Sequence, residues 1–192
     1  MLEAASESRL EALCVVAIHT GLRRGELLGL KWTDADLEAG TLTVRRSLDV
    51  DGTFKVPKNR AARRTLKLTP RALDALKVHK VRQNAEGLQA GSRWQDNNLV
   101  FPNTVGKPMN AGNLYRRVFQ PLLESAGLAD EGFTIHSLRH TFATTLADKG
   151  VHSSTAQKML GHSDIRVTLA IHTHATDGMQ DAATAALEEA FS

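Results

Sequence analysis

An internal disulfide is ruled out from the start, because the chain carries one cysteine, Cys14, inside the apolar run from Leu13 to Ile18. Stability must therefore come from a packed core, and a reducing, cytoplasmic setting is the expectation. No apolar stretch approaches the roughly 20 residues that span a bilayer. The start, Met1-Leu-Glu-Ala-Ala-Ser6, lacks the basic, apolar and small-residue order of a secretory signal. No membrane partner is expected. Neither sign of charge dominates either: 24 Lys and Arg stand against 21 Asp and Glu, a net charge of +3. So small an excess does not by itself specify a nucleic acid, and the distribution of the basic residues has to decide. Aromatic residues make up only 5%, and Tyr115 is the one tyrosine. There is no internal repeat, low-complexity tract or linker, and 42% hydrophobic content in 192 residues suits one globular domain over residues 1–192.

What is present reads as mainly helical. Leu10, Leu13, Cys14, Ala17 and Ile18 recur at helical spacing, with Gly21 as the stop. A short helix follows from Glu26 to Leu30. The join places Arg23 just after a glycine turn, with Glu26 three residues on, where a carboxylate can orient a guanidinium; an ordinary surface pair is the competing reading. Thr41 to Ser47 alternates as a strand, Asp51-Gly52 is a hairpin turn, Phe54 to Val56 can pair back, and Arg63 to Leu68 makes a third strand. A small three-stranded antiparallel sheet on one edge is expected. Between its last two strands lies Pro57-Lys-Asn-Arg-Ala-Ala-Arg-Arg64, a basic tip that no core needs. Lys58, Arg60, Arg63 and Arg64 there fit a DNA groove or backbone, against the alternative of a solvated hairpin.

Thr69-Pro70 caps a helix from Arg71 to about Gly87 that carries Leu73 and Leu76. A polar loop leads to Leu99-Val-Phe101. Leu114, Val118, Leu122 and Leu123 pattern another helix, with Tyr115, Arg116 and Arg117 on its other faces and Pro121 predicting a kink or break. In Thr134-Ile-His-Ser-Leu-Arg-His-Thr-Phe-Ala-Thr-Thr-Leu146, Thr134 is an N-cap and Ile135, Leu138, Phe142 and Leu146 form the apolar stripe. His136, Arg139 and His140 then fall together on or beside a second face. Imidazole beside guanidinium suits an anion that needs charge neutralisation and proton transfer, and a phosphodiester is the commonest such group. A plain solvated face is the other reading. Ser154 and Gln157 have capping-box spacing before Ala156, Met159 and Leu160. Leu160-Gly-His162 follows, and a terminal helix from about Asp177 carries a small-residue stripe suited to this chain or to another copy.

Thr20-Gly-Leu-Arg-Arg-Gly-Glu-Leu27, the Lys58 hairpin, His136-Ser-Leu-Arg139 and Leu160-Gly-His162, in that order, resemble the catalytic domain of the tyrosine recombinases, or phage integrases. The resemblance covers essentially the whole chain. It implies a helical core with the small sheet at its edge, and cleavage of one DNA strand at a time by tyrosine attack on the scissile phosphate, with no metal or nucleotide cofactor. It implies that Arg23 and Arg139 stabilise the phosphorane and that Lys58, or Arg60 in another register, protonates the departing 5′-oxygen. His136 becomes the general base or acid, His162 the residue that hydrogen-bonds the phosphate and helps place the nucleophile, Glu26 a supporting carboxylate and His140 a residue behind the site. Double-stranded DNA is the implied partner, and self-association in a synaptic tetramer through the terminal helix the implied assembly.

Two departures stand out. At the position of the nucleophilic tyrosine, ten residues after His162, the chain has His172. Loss of cleavage is the expectation, with attack by His172, or by His174 after a slip of two, as the alternative; Tyr115 lies too far upstream to serve. The chain also begins near the first catalytic helix, so the family's N-terminal DNA-binding domain is expected to be absent and DNA binding weak and salt-dependent. A non-catalytic DNA-binding module of the same fold is the nearest alternative. A metal-dependent hydrolase built on His136, His140, His162, His172 and His174 is remote, because the His136 and His140 pair lacks the intervening glutamate of a zinc-peptidase helix.

Overall fold

In a computed structural model of the chain, residues 2–6, 8–57, 62–162 and 188 are described. The first helix, α1 (Glu11–Thr20), is apolar on every side, with Ala12, Leu13, Cys14, Val15, Val16 and Ala17 all buried. Such a helix belongs at the centre, and it packs against both α3 (Pro70–Ala90) and α6 (Ile135–Asp148). Gly21 ends it in the left-handed region, φ 62°, donating its N–H to Ala17 O at 3.0 Å. In the short α2 (Arg24–Leu28), the Glu26 carboxylate reaches back to accept the Arg23 backbone N–H at 2.8 Å, satisfying one of the donors that a helix start leaves open. Helix α2 lies hard against strand β3 (Ser47–Leu48): a Cβ on Gly25 would stand 2.6 Å from Leu48 O.

The expected three-stranded antiparallel sheet is present with a different membership. Its order is β1 (Ala35–Asp36), β2 (Thr41–Thr43), β5 (Thr65–Lys67), with Leu42 opposite both Ala35 and Leu66. The strand expected over Thr41 to Ser47 is divided. Asp34, buried at the end of a 3-10 turn (Trp32–Asp34), draws Arg46 onto both carboxylate oxygens and Arg45 onto one, which turns the chain out of the sheet. Beyond that break, β3 and β4 (Phe54–Lys55) pair as a separate ribbon.

Helix α3 starts as its sequence indicates, with Thr69 Oγ1 accepting from the Ala72 N–H and Pro70 in the first turn. It runs past Gly87, where a Cβ would stand 3.5 Å from the Trp94 ring, an ordinary van der Waals contact. Its buried face is Ala72, Leu76, His79 and Gln83, two of them polar. His79 Nε2 donates to Val100 O at 2.6 Å, and Gln83 donates to Leu99 O while accepting from the Trp32 indole. They satisfy the carbonyls of the Leu99–Phe101 segment, which crosses the core. Pro121 can donate no backbone hydrogen bond, and the helix α4 (Ala111–Leu114) widens into a π turn (Tyr115–Phe119) before continuing as α5 (Gln120–Ser125). That extra residue shifts the register: Phe119 is fully buried and Val118 is turned out, the reverse of a regular helix.

Helix α6 has Thr134 as N-cap, and Ile135, Leu138 and Phe142 on its inner face. Helix α7 (Ser153–Leu160) is capped by His152, not Ser154: the His152 ring accepts the Ser154 N–H. Gln157 instead donates to His162 O at 3.2 Å, past the other end of the helix. Among the described residues, no helix is long and apolar enough to cross a membrane.

Candidate active site

The last turn of α7 leaves carbonyls without helical partners, at the negative end of the helix dipole. Three guanidiniums from distant parts of the chain fill them. Arg64 Nε donates to Met159 O at 2.6 Å, Arg139 Nη2 to Leu160 O at 2.8 Å, and Arg23 Nη2 to Gly161 O at 3.3 Å. Gly161, with φ 64°, ends the helix in the left-handed region, so its place before His162 has a conformational cause. Arg139 also donates to Gly21 O. Gly21 can approach because it has no Cβ; one built there would lie 2.3 Å from Phe142 Cδ1 on α6. The turn after α1, the inner face of α6 and the end of α7 therefore converge on one point.

Arg139 does not share the polar face with His136 and His140. It is 5% exposed and points inward, whereas both histidines are exposed on α6. A second correction concerns Arg64. Expected to contact DNA from the basic tip, its side chain is only 7% exposed and forks onto Glu26, with Nη2 to Oε2 at 3.0 Å and Nη1 to Oε1 at 3.2 Å. Its fork is turned onto the Glu26 carboxylate and its Nε onto Met159 O; Arg63 alone of the two adjacent arginines stays exposed. Glu26, 4% exposed, also takes Arg23 Nη1 at 3.0 Å. Burial opposes ionisation of Glu26, but the hydrogen bonds and charge of Arg64, then those of Arg23, outweigh it and hold the carboxyl below its ordinary value. Lys58, Arg60, His172, His174 and the terminal helix from Asp177 lie outside the described residues.

His162 Nε2 sits 2.7 Å from Arg139 Nη2. A guanidinium has no lone pair to offer, so Nε2 is the acceptor and Nδ1 carries the proton of the neutral ring. Burial, then the charges of Arg139, Arg23 and Arg64, push the His162 pKa down to about 4, with Glu26 opposing. The His136 pKa is also lowered, first by partial desolvation where the otherwise exposed ring borders the groove, and then by Arg139, Arg23, His140 and Arg24. Burial and Arg23 bring Arg139 down to about 10, which leaves it charged at neutral pH. Three guanidiniums against one carboxylate, with neutral histidines, give a net surplus of positive charge suited to an oxyanion.

Arg23 and His136 open onto a groove of about 880 Å³, completed by Arg24, Tyr115, Arg116 and the β3 to β4 turn around Asp49 and Val50. Arg24 and the partnership of Arg64 with Glu26 were not legible as site features; the first has no signal beyond adjacency to Arg23, the second needs the long-range fold. Among the described residues, no three His, Cys, Asp or Glu side chains gather as a metal site.

The Phage integrase family matches residues 1–179. A tyrosine recombinase XerC-like protein of Caldanaerobacter subterraneus subsp. tengcongensis is 37% identical, covering 98% of this chain and 51% of that protein. An integrase of Streptomyces ambofaciens is 35% identical, over 88% of this chain and 45% of that protein. The chain thus spans about half the length of these curated relatives. Among solved structures, the Tn1549 transposon integrase in complex with circular intermediate DNA superposes with a TM-score of 0.76 at 26% identity, covering 98% of this chain and 63% of that one. XerA recombinase superposes with a TM-score of 0.71 at 29% identity, over 95% of this chain and 59% of that one. With its helical core, small antiparallel sheet and converging Arg23, Arg139 and His162, the chain belongs to the phage integrase family, the tyrosine recombinases.

Proposed function

We propose that residues 1–192 form the catalytic domain of a site-specific DNA recombinase whose phosphate-activating machinery is intact and whose nucleophile position is taken by His172, leaving the chain deficient in strand cleavage. The observation that carries the phosphate site is the convergence of Arg23 and Arg139 on the last carbonyls of α7, with the His162 ring against Arg139. Two guanidiniums there bind the non-bridging oxygens and stabilise a five-coordinate phosphorane, the larger share of catalysis in phosphoryl transfer. His136, neutral at pH 7 and beside Arg23 on the groove, serves as general base or acid, and His162 as the hydrogen-bond partner that seats the phosphate. Lys58 protonates the departing 5′-oxygen, Glu26 orients Arg23, and His140 supports His136 from the next turn of α6.

Double-stranded DNA is the partner in this reading, bound through the groove and through Lys58, Arg60 and Arg63, with copies associating on DNA through the terminal helix. Support comes from Arg24 and Arg116 beside Arg23, and from the DNA complexes of the Tn1549 integrase and of XerH recombinase. The work is cytoplasmic. The second reading, a DNA-binding module without chemistry, rests on His172 standing where a phenol is needed. Covalent trapping on a pool of nicked duplexes, resolved on a denaturing gel, decides. An adduct with His172→Tyr alone supports intact machinery without its nucleophile. An acid-labile adduct with the unmodified chain makes His172 the nucleophile and refutes cleavage deficiency; none with either favours the binding module.

A further inference from the structure

Glu26 presents an electrostatic problem. To orient Arg23 it must be ionised, yet a carboxylate paired with Arg23 alone would cancel the charge that the phosphate needs. Its side chain is 4% exposed, so water supplies little of the compensation. Arg64 occupies both of its oxygens, whereas Arg23 reaches only one through its side chain. Two further donors of Arg64 are committed as well, Nε to Met159 O and Nη1 also to Ala62 O at 3.2 Å. Its side chain is 7% exposed, against 40% for Arg23, which borders the groove.

We infer that Arg64 is a positioning residue, the dedicated counter-ion of Glu26: it takes up the carboxylate's charge so that Glu26 holds Arg23 in place without neutralising it. The inference rests on the reading of this site as a phosphate site. Arg64 touches no phosphate and acts through Glu26. Without it, Glu26 closes on Arg23 with both oxygens, draws the guanidinium toward α2, and lowers the positive surplus of the site by one charge. A planar fork is required to span both oxygens while Nε stays on Met159 O, which is why a lysine would do this only in part.

The test uses the full chain with Arg64→Met, Arg64→Lys, Glu26→Gln and the Arg64→Met/Glu26→Gln pair. Binding to a fluorescein-labelled random-sequence duplex at low salt is read by anisotropy. Arg64→Met is expected to weaken binding about tenfold, the size of one unit charge at roughly 10 Å in a partly buried site. Arg64→Lys falls between it and the unmodified chain. The double variant returns to within about threefold, because the neutral amide that replaces the carboxylate leaves no charge to cancel. The His162 ring, faced by Arg139, Arg23, Arg64 and Glu26, is titrated by NMR without DNA; its midpoint rises in Arg64→Met and falls back in the double variant. A double variant still tenfold weak in binding, with its His162 midpoint still raised, overturns the counter-ion role and leaves Arg64 a packing residue. If Arg64→Met does not fold, the double variant, which buries no unmatched charge, decides alone against the unmodified chain. If the unmodified chain binds no duplex, the DNA reading of the site fails, while the His162 titration still tests the pairing.

Discussion

One methyl group on Gly21 should disturb this protein far more than the same group on Gly52. Both glycines have positive φ, 62° and 83°, so alanine at either position meets the left-handed backbone penalty of about 1 kcal/mol. Nothing lies within 4 Å of a Cβ at Gly52. At Gly21 the new carbon would stand 2.3 Å from Phe142 Cδ1, 2.9 Å from Cε1 and 3.1 Å from Leu160 Cδ2. Phe142 is 7% exposed and Leu160 1%, so neither can move aside into solvent. Overpacking of that kind adds about 1–3 kcal/mol. Gly21→Ala should therefore lose about 2–4 kcal/mol, out of the roughly 5–15 kcal/mol that holds a domain, and Gly52→Ala about 1. With a urea m-value near 2 kcal/mol/M, the midpoints should fall by about 1–2 M and 0.5 M. Because Gly21 O accepts from Arg139, the first variant should also shift the His162 titration and the second should not. Equal midpoint shifts for the two variants would refute the contact between the Gly21 turn and α6 as the reason for this glycine.

Further outcomes follow from the same geometry. His162 should titrate near pH 4 by NMR; since the unfolded chain takes up that proton at about 6.5, the folded state loses stability as pH falls through that window, and a flat denaturation midpoint from pH 7 to 4 would contradict it. Cys14, its thiol pushed up to about 12 by burial, should resist an alkylating reagent at pH 8 until the protein unfolds. The same shift makes stability fall between pH 9 and 12, where the unfolded thiol ionises first. Gln83→Leu should lose about 2 kcal/mol by leaving the Trp32 indole N–H and Leu99 O unpaired, and should move the Trp32 indole signal; an unmoved signal would show that the 2.6 Å bond does not exist in solution.

Local signals were enough for α1, for the Thr69-Pro70 start of α3 and for the Thr134 start of α6, because caps, glycine stops and apolar periods act over a few residues. The exceptions all have long-range causes. The break between Thr43 and Ser47 depends on Asp34 drawing in Arg45 and Arg46, and alternation cannot register that partner. Pro121 announced an interruption, but only the packing of Phe119 in place of Val118 makes it a π turn. Gln157 has the spacing of a capping-box partner and is used at the opposite end of its helix. Arg64 reads as one more basic residue in a basic stretch. Nothing in its neighbours reveals that a carboxylate 38 positions earlier will bury it.

The candidate site was legible as residue types, and the fold supplies what their charges require. Cations placed close together repel one another, and burying them makes the repulsion worse. Here the repulsion of Arg23, Arg64 and Arg139 is offset by what the fold supplies without a ligand: the Glu26 carboxylate and three successive carbonyls at the end of α7. A glycine is needed at 161 to end that helix with its carbonyls turned to the arginines, and another at 21 to bring a fourth carbonyl and Arg139 together. The offset is incomplete, since one carboxylate faces three guanidiniums; burial first, and then the charges of Arg139, Arg23 and Arg64, lower the His162 pKa. A site left with surplus positive charge and with neutral imidazoles beside it gains most from an anion that brings oxygens and no proton, which describes a phosphodiester.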